Sequence, residues 1–259
     1  MEILFSCSKC IDDKFNKREK QPYQLDAQYE TINGSGFYDY TCTNGHRNIV
    51  VLQDLPFELL FQSAIVLLCN GYFRESVFNF AASLERFLEF CVKAFVFSKQ
   101  HDFDLFDETW KGVSRQSERQ IGAFYFLYLN IVNEPPQIID DKMSRLRNDV
   151  IHKGEFISKH EAERYGKFVY DYINSTRKKL ESKVEKQWNI GMGRAVDYHL
   201  KQVFKSINNR LKDAGEDTEN QLIQTTTIPT YVSISRPLPT SSFEEIIADY
   251  ISYHVKLMR

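Results

Sequence analysis

The sequence has no apolar run of about 18 residues, the length a helix needs to cross a bilayer. Its most apolar stretch, Leu59 to Cys69, carries Gln62 and Ser63 and reads as a buried helix. The N-terminus, MEILFSCSKC, has neither a basic leader nor a long apolar segment, so no secretory signal is expected and the chain is placed in the cytoplasm, away from membranes. Charge of one sign is not in excess. With 33 Lys and Arg against 35 Asp and Glu the net charge is −2, which excludes a protein that coats nucleic acid by bulk electrostatics and requires any contact with RNA or DNA to be local. Cysteine is scarce and odd in number, five in 259 residues. In a reducing compartment that argues against a disulfide framework and for metal ligands or core positions. No internal repeat and no low-complexity tract occurs.

What is present is the balance of an ordinary globular protein, 42% hydrophobic, 14% aromatic and 26% charged. Short alternating stretches, Gly36 to Tyr40 and Arg47 to Leu52, predict strands in a small first module, residues 1–52. Asp54-Leu55-Pro56 reads as an N-cap, at Asp54, with proline just inside a helix, and Asn70-Gly71 as its stop. A second helix is expected from Tyr72 to Lys99, because Val77, Phe80, Ala81, Leu84, Phe87, Leu88, Cys91 and Phe95 recur at steps of three and four. The polar segment His101 to Ser117 breaks that pattern. Helices are then expected over Glu118 to Val132, from Ile138 into RLRNDVIHKG with Gly154 as the cap, and from a capping box at Ser158 and Glu161 to Trp188.

Residues 53–188 thus read as one helical bundle. Residues 189–259 read as an extension with a helix over Arg194 to Leu211, a polar loop, a β-prone Thr225 to Ile234 and an amphipathic helix from Phe243 to Leu257. The expected fold class is mainly α, a helical bundle with a small β module before it and an α/β extension behind it.

Two clusters carry chemistry. Cys7-Ser8-Lys9-Cys10 is a C-x2-C pair, and Cys42-Thr43-Asn44-Gly45-His46 supplies a C-x3-H pair with a turn-forming Asn-Gly inside it. Together Cys7, Cys10, Cys42 and His46 are the four soft ligands that structural zinc prefers. The arrangement resembles a zinc ribbon, although its spacer is long and histidine replaces the fourth cysteine. A redox role for Cys7 and Cys10 is disfavoured because no βαβ pattern surrounds them; Cys69 and Cys91 read as core.

The second cluster is Arg147-Asn148-Asp149-Val150-Ile151-His152. Met143, Leu146 and Val150 share one helical face, whereas Arg145, Asn148 and His152 share another. An imidazole titrates near neutrality and passes protons, a guanidinium offsets charge on phosphate, and RNA brings its own 2′-hydroxyl nucleophile. His152 is therefore the candidate acid or base, Arg147 the stabiliser of the transition state, and Asn148 the residue that orients them. A plainer reading has Arg147 and His152 capping a helix end or pairing with a neighbouring acid. A second Arg-x4-His, Arg194 to His199, has alanine after its arginine and no glycine stop.

The R-N-D-V-I-H-K-G stretch resembles the Arg-polar-x3-His signature of HEPN domains, and the helices around it, with SLERFLEF on the long early one, are similar to that family's bundle. The resemblance implies metal-independent RNA cleavage at a cleft where two copies pair their Arg and His residues, so that the zinc would be structural and catalysis would need no cofactor. It implies a homodimer acting on RNA, tRNA among the candidates, as a toxin or antiphage effector. The alternative is a non-catalytic HEPN module that binds RNA, nucleotide or a partner protein, with the zinc module or the C-terminal helix as the docking surface. Some members add an acid from an early helix, for which Glu85 and Glu89 are candidates that otherwise read as a solvated face.

Overall fold

The computed structural model describes residues 2–16, 27–99, 102–216, 223–228 and 230–257. Among these, the chain is mainly helical with two small sheets, and no helix is long and apolar enough to cross a membrane. It divides into two compact units, one of residues 1–54 and 199–228, the other of residues 55–198 and 229–259. The residues read from sequence as a single extension, 189–259, therefore contribute to both units. Sequence order does not reveal this, because it follows from where the chain returns.

In the first unit, β1 (Glu2–Ser6) pairs antiparallel with β2 (Ala27–Thr31), and α1 (Ser8–Asn16) follows β1. Strands β3 (Phe37–Thr41) and β4 (Arg47–Leu52) form a hairpin, and β5 (Ile223–Thr226) adds to β4 in parallel. Phe37, Ile49 and Val51 from this sheet pack on Val203, Ile207 and Leu211, which recur every four residues on one helical face. The expected β-prone segment is a strand only at its start. Residues 217–222 of the expected polar loop lie outside the described residues.

The second unit is built from α2 (Pro56–Cys69), α3 (Phe73–Phe97), α4 (Phe103–Val113), α5 (Ser117–Val132), α6 (Asp141–His152), the earlier part of α7 (Lys159–Asp213) and α8 (Phe243–Leu257). Pro56 opens α2, but Leu55 is its N-cap, and Glu58 accepts from the Leu55 N–H at 2.7 Å. Asp54, expected as the cap, instead accepts from the Ile228 N–H at 2.8 Å within the first unit. The predicted core stripe of α3 is buried throughout, Val77 to Phe95.

Two features depart from the sequence reading. Residues 103–113 are helical, because Asp102 caps the Leu105 N–H at 3.0 Å and Phe103, Phe106 and Trp110, at steps of three and four, carry an apolar face. Phe103 and Phe106 lie 4.8 and 4.9 Å from Phe97 between ring centroids. The span α7 is two helices that meet at a kink at Val184, where φ is −140° and ψ 33°, so the break expected between Trp188 and Arg194 falls earlier and the second helix runs through Trp188 to Asp213. The capping box that opens α7 is as expected, with Ser158 N–H to Glu161 at 2.9 Å and the Glu161 N–H to Ser158 Oγ at 3.3 Å.

Two buried groups fix the second unit. Arg177, 1% exposed, donates to the carbonyls of Ser233 at 2.9 Å and Arg236 at 3.0 Å, tying the segment before α8 to α7. Gly191 lies where α7 meets α3, and a Cβ there would sit 1.9 Å from the Ala94 carbonyl oxygen. The obstruction is backbone and cannot rotate away, so Gly191→Ala should destabilise the protein by about 3 kcal/mol or more, the upper end of overpacking costs. A urea midpoint equal to that of the parent protein would contradict this helix crossing.

Candidate functional site

The metal-ligand set is assembled by two local structures. Cys7 immediately precedes α1 and Cys10 lies in its first turn, so the pair straddles a helix N-terminus, whose free N–H groups and dipole favour thiolate. The resemblance to a zinc ribbon does not predict the helix that starts at Ser8 between the two cysteines. Cys42 and His46 flank the β3–β4 turn, closed by Gly45 N–H to Cys42 O and Cys42 N–H to His46 O, both 2.9 Å. Gly45, at φ +81°, supplies the left-handed residue that this turn needs.

The four ligand atoms lie within 4.8 Å of one another. Cys10 Sγ is 3.7 Å from Cys42 Sγ and 3.3 Å from His46 Nδ1, and Cys7 Sγ is 3.7 Å from His46 Nδ1. A tetrahedral ion with ordinary zinc bond lengths places sulfur atoms ~3.8 Å apart and sulfur and nitrogen ~3.5 Å apart, so the set fits a metal ion. The Asn44 side-chain amide donates to Cys10 Sγ and the His46 N–H to Cys42 Sγ, each at 3.3 Å, as outer partners of bound thiolates would. Burial raises the Cys7 thiol, but hydrogen bonds from the Cys10 backbone and from Cys10, His46 and Asn48 outweigh it and bring it down to about 7.

The second cluster is set by α6. Asp140 caps it through the Lys142 N–H at 2.6 Å, and Gly154, at φ +72°, ends it, with the Glu155 N–H returning to the Asp149 carbonyl at 3.2 Å. Met143, Leu146 and Val150 are buried, as the spacing predicts. On the opposite side, Arg145, Asn148 and His152 share an exposed face.

Arg147 lies between these faces. Its guanidinium pairs with Glu85 of α3 and donates to Asn148 Oδ1 at 3.0 Å and Ser117 Oγ at 3.3 Å. Arg147, Asn148, Glu85, Ser117 and Tyr165 line a cavity of about 220 Å³. Burial raises the Tyr165 phenol, with Arg147 pulling the other way. His152 does not line this cavity. It lies farther along α6, at the helix's last residue, and among the described residues it has no hydrogen bond or ion pair.

Arg147 and Asn148 are therefore brought together, with Glu85, Ser117 and Tyr165 added; His152 is near in sequence but faces solvent. Of the two acids considered from sequence, Glu85 reaches Arg147, whereas Glu89 pairs with Arg86 and, at 2.8 Å, with Lys93. Nothing in the local pattern distinguishes them, since both sit beside the α3 core stripe. The other Arg-x4-His is divided. Arg194 donates to the Phe97 carbonyl at 2.6 Å at the end of α3, a capping role, and His199 belongs to the other unit.

Compared with protein-family models, with curated proteins and with solved structures, the chain matches none.

Proposed function

We propose that the chain is a HEPN-type endoribonuclease whose α6 face cuts RNA without a catalytic metal, and that the ion held by Cys7, Cys10, Cys42 and His46 is structural zinc. The observation that carries the reading is a guanidinium at a cavity, braced by a carboxylate from the long early helix, on the helix whose final residue is a solvent-facing histidine without a partner. Neutral His152 takes the proton of the RNA 2′-hydroxyl, whose oxygen attacks phosphorus. The bond from phosphorus to the 5′-oxygen breaks, leaving a 2′,3′-cyclic phosphate, and the departing oxygen takes a proton from the protonated His152 of a second copy or, in a monomer, from solvent. Arg147 stabilises charge on the phosphoryl oxygens, and Asn148 orients it.

A single histidine accounts for one of the two proton transfers, which favours a homodimer in which the exposed Arg145, Asn148 and His152 faces meet across a two-fold axis. Light scattering at micromolar concentration should give twice the chain mass. A monomer that cuts RNA would defeat the dimer and leave the chemistry intact. A second reading is a non-catalytic module that binds RNA, nucleotide or a partner protein, favoured by the engagement of Arg147 with Glu85 and the separation of His152 from the cavity. Incubation of the purified protein with total tRNA and structured RNA in the presence of chelator separates the two: cleavage is expected, and intact RNA would support the binding module.

A further inference from the structure

Beside the α6 C-terminus lies a cation that meets aromatic rings but no acid among the described residues. Arg74 sits in the first turn of α3, where the helix dipole disfavours positive charge. Among the described residues it forms no hydrogen bond or ion pair, and its Nε is out of contact with solvent and without a partner. Its guanidinium carbon lies 5.6 Å from the ring centroid of Phe78 and 6.0 Å from that of Phe156. It also approaches Gly154, two residues past His152, where a Cβ would lie 3.9 Å from Nη2.

Phe156, in the loop that leaves α6, is 90% exposed. An open aromatic face beside an unneutralised guanidinium is the pairing that grips unpaired nucleotides, the base stacking on the ring and the phosphate meeting the cation. A duplex keeps its bases stacked on one another and offers no face to such a ring.

We propose that Arg74 and Phe156 form a subsite for one unpaired nucleotide of single-stranded RNA, flanking His152. This rests on the reading of α6 as an RNA-cleaving face and adds the strandedness of its substrate. Phe156 supplies the stacking surface, Phe78 holds the guanidinium in place, and Arg74 meets the phosphate.

The test is fluorescence anisotropy of the full chain with a mixed-sequence RNA strand methylated at every 2′-oxygen, so that it cannot be cut, and with the same strand annealed to its complement. The single strand should bind at least about tenfold more tightly than the duplex. Phe156→Ala should weaken it about 5- to 150-fold, the range expected for the loss of one stacked base, with an unchanged Tm because the ring is exposed; Phe156→Trp should restore it. Arg74→Ala should reduce the slope of log affinity against log salt by about 0.7, one phosphate of a single strand. Equal affinity of Phe156→Ala and the parent protein, equal affinity for strand and duplex, or a Phe156→Ala effect confined to self-association would overturn the subsite. A parent protein that binds the methylated strand but leaves unmodified RNA uncut would overturn the nuclease and keep the subsite. Unimpaired cutting and binding by Phe156→Ala would do the reverse.

Discussion

His152→Ala and Arg147→Ala should each reduce RNA cleavage by about 10²- to 10⁴-fold, the usual cost of removing a proton-transfer group or a group that offsets transition-state charge. His152 is exposed and unpaired, so its removal leaves no polar group stranded, and the thermal midpoint should not move. Arg147 differs, because its loss frees Glu85 and the Ser117 hydroxyl at a cavity edge. With side chains 20% and 27% exposed, the pair is partly solvated, and its loss should cost about 1 kcal/mol at most. Activity and stability should thus separate cleanly at His152 and nearly so at Arg147. Arg194→Ala should leave cleavage intact while destabilising the protein modestly, since it removes a donor from the Phe97 carbonyl. Cleavage by His152→Ala at the parent rate would place the proton-transfer group elsewhere.

The second large effect belongs to the metal ligands. A Cys7→Ser, Cys10→Ser double variant should fall from one zinc per chain to near none by elemental analysis, and its first unit should lose hydrogen-exchange protection. Apparent zinc affinities of about 10–16 kcal/mol in small zinc-dependent domains exceed what a sheet this small can supply from its own core. The helices of the second unit carry a separate core from Leu55 to Tyr250 and should keep their far-ultraviolet signal. Undiminished zinc in the double variant would show that Cys7 and Cys10 are not ligands.

The helices with strong periodicity and punctuation were legible from the sequence: Pro56 and Asn70-Gly71 bound α2, the stripe from Val77 to Phe95 defines α3, and Gly154 ends α6. Helix α4 was hidden because its acidic surface dominates the local composition, although Asp102 followed by Phe103, Phe106 and Trp110 was the signal that could have found it. The run of the helix after the Val184 kink through Trp188 and Gly191 was hidden for another reason. Gly191 reads as a weak point in a helix, yet it is there because Ala94 of α3 leaves no room for a side chain. The parallel pairing of β5 with β4 joins residues far apart in the chain and leaves no local trace.

At the candidate sites, the four residues that could hold a metal ion were legible from spacing and turn chemistry, since Asn44-Gly45 announces the hairpin that brings Cys42 to His46. The Arg147 face was legible from helical periodicity. Its partner was not, because Glu85 and Glu89 occupy equivalent positions beside the α3 core and only the crossing of α3 with α6 selects Glu85. Arg74 and Phe156 meet in space but belong to different helical boundaries in sequence.

The most direct measurement uses an RNA strand that the protein cuts, with a single 2′-deoxy substitution at the cut site, in chelator, and end-group analysis of the products. If the α6 face uses the RNA's own nucleophile, the unsubstituted strand yields a 2′,3′-cyclic phosphate and a 5′-hydroxyl, and the substituted strand stays whole at that site. Cutting at the deoxy position, or products that carry a 3′-hydroxyl and a 5′-phosphate, would contradict the assignment of Arg147 and His152 to this chemistry.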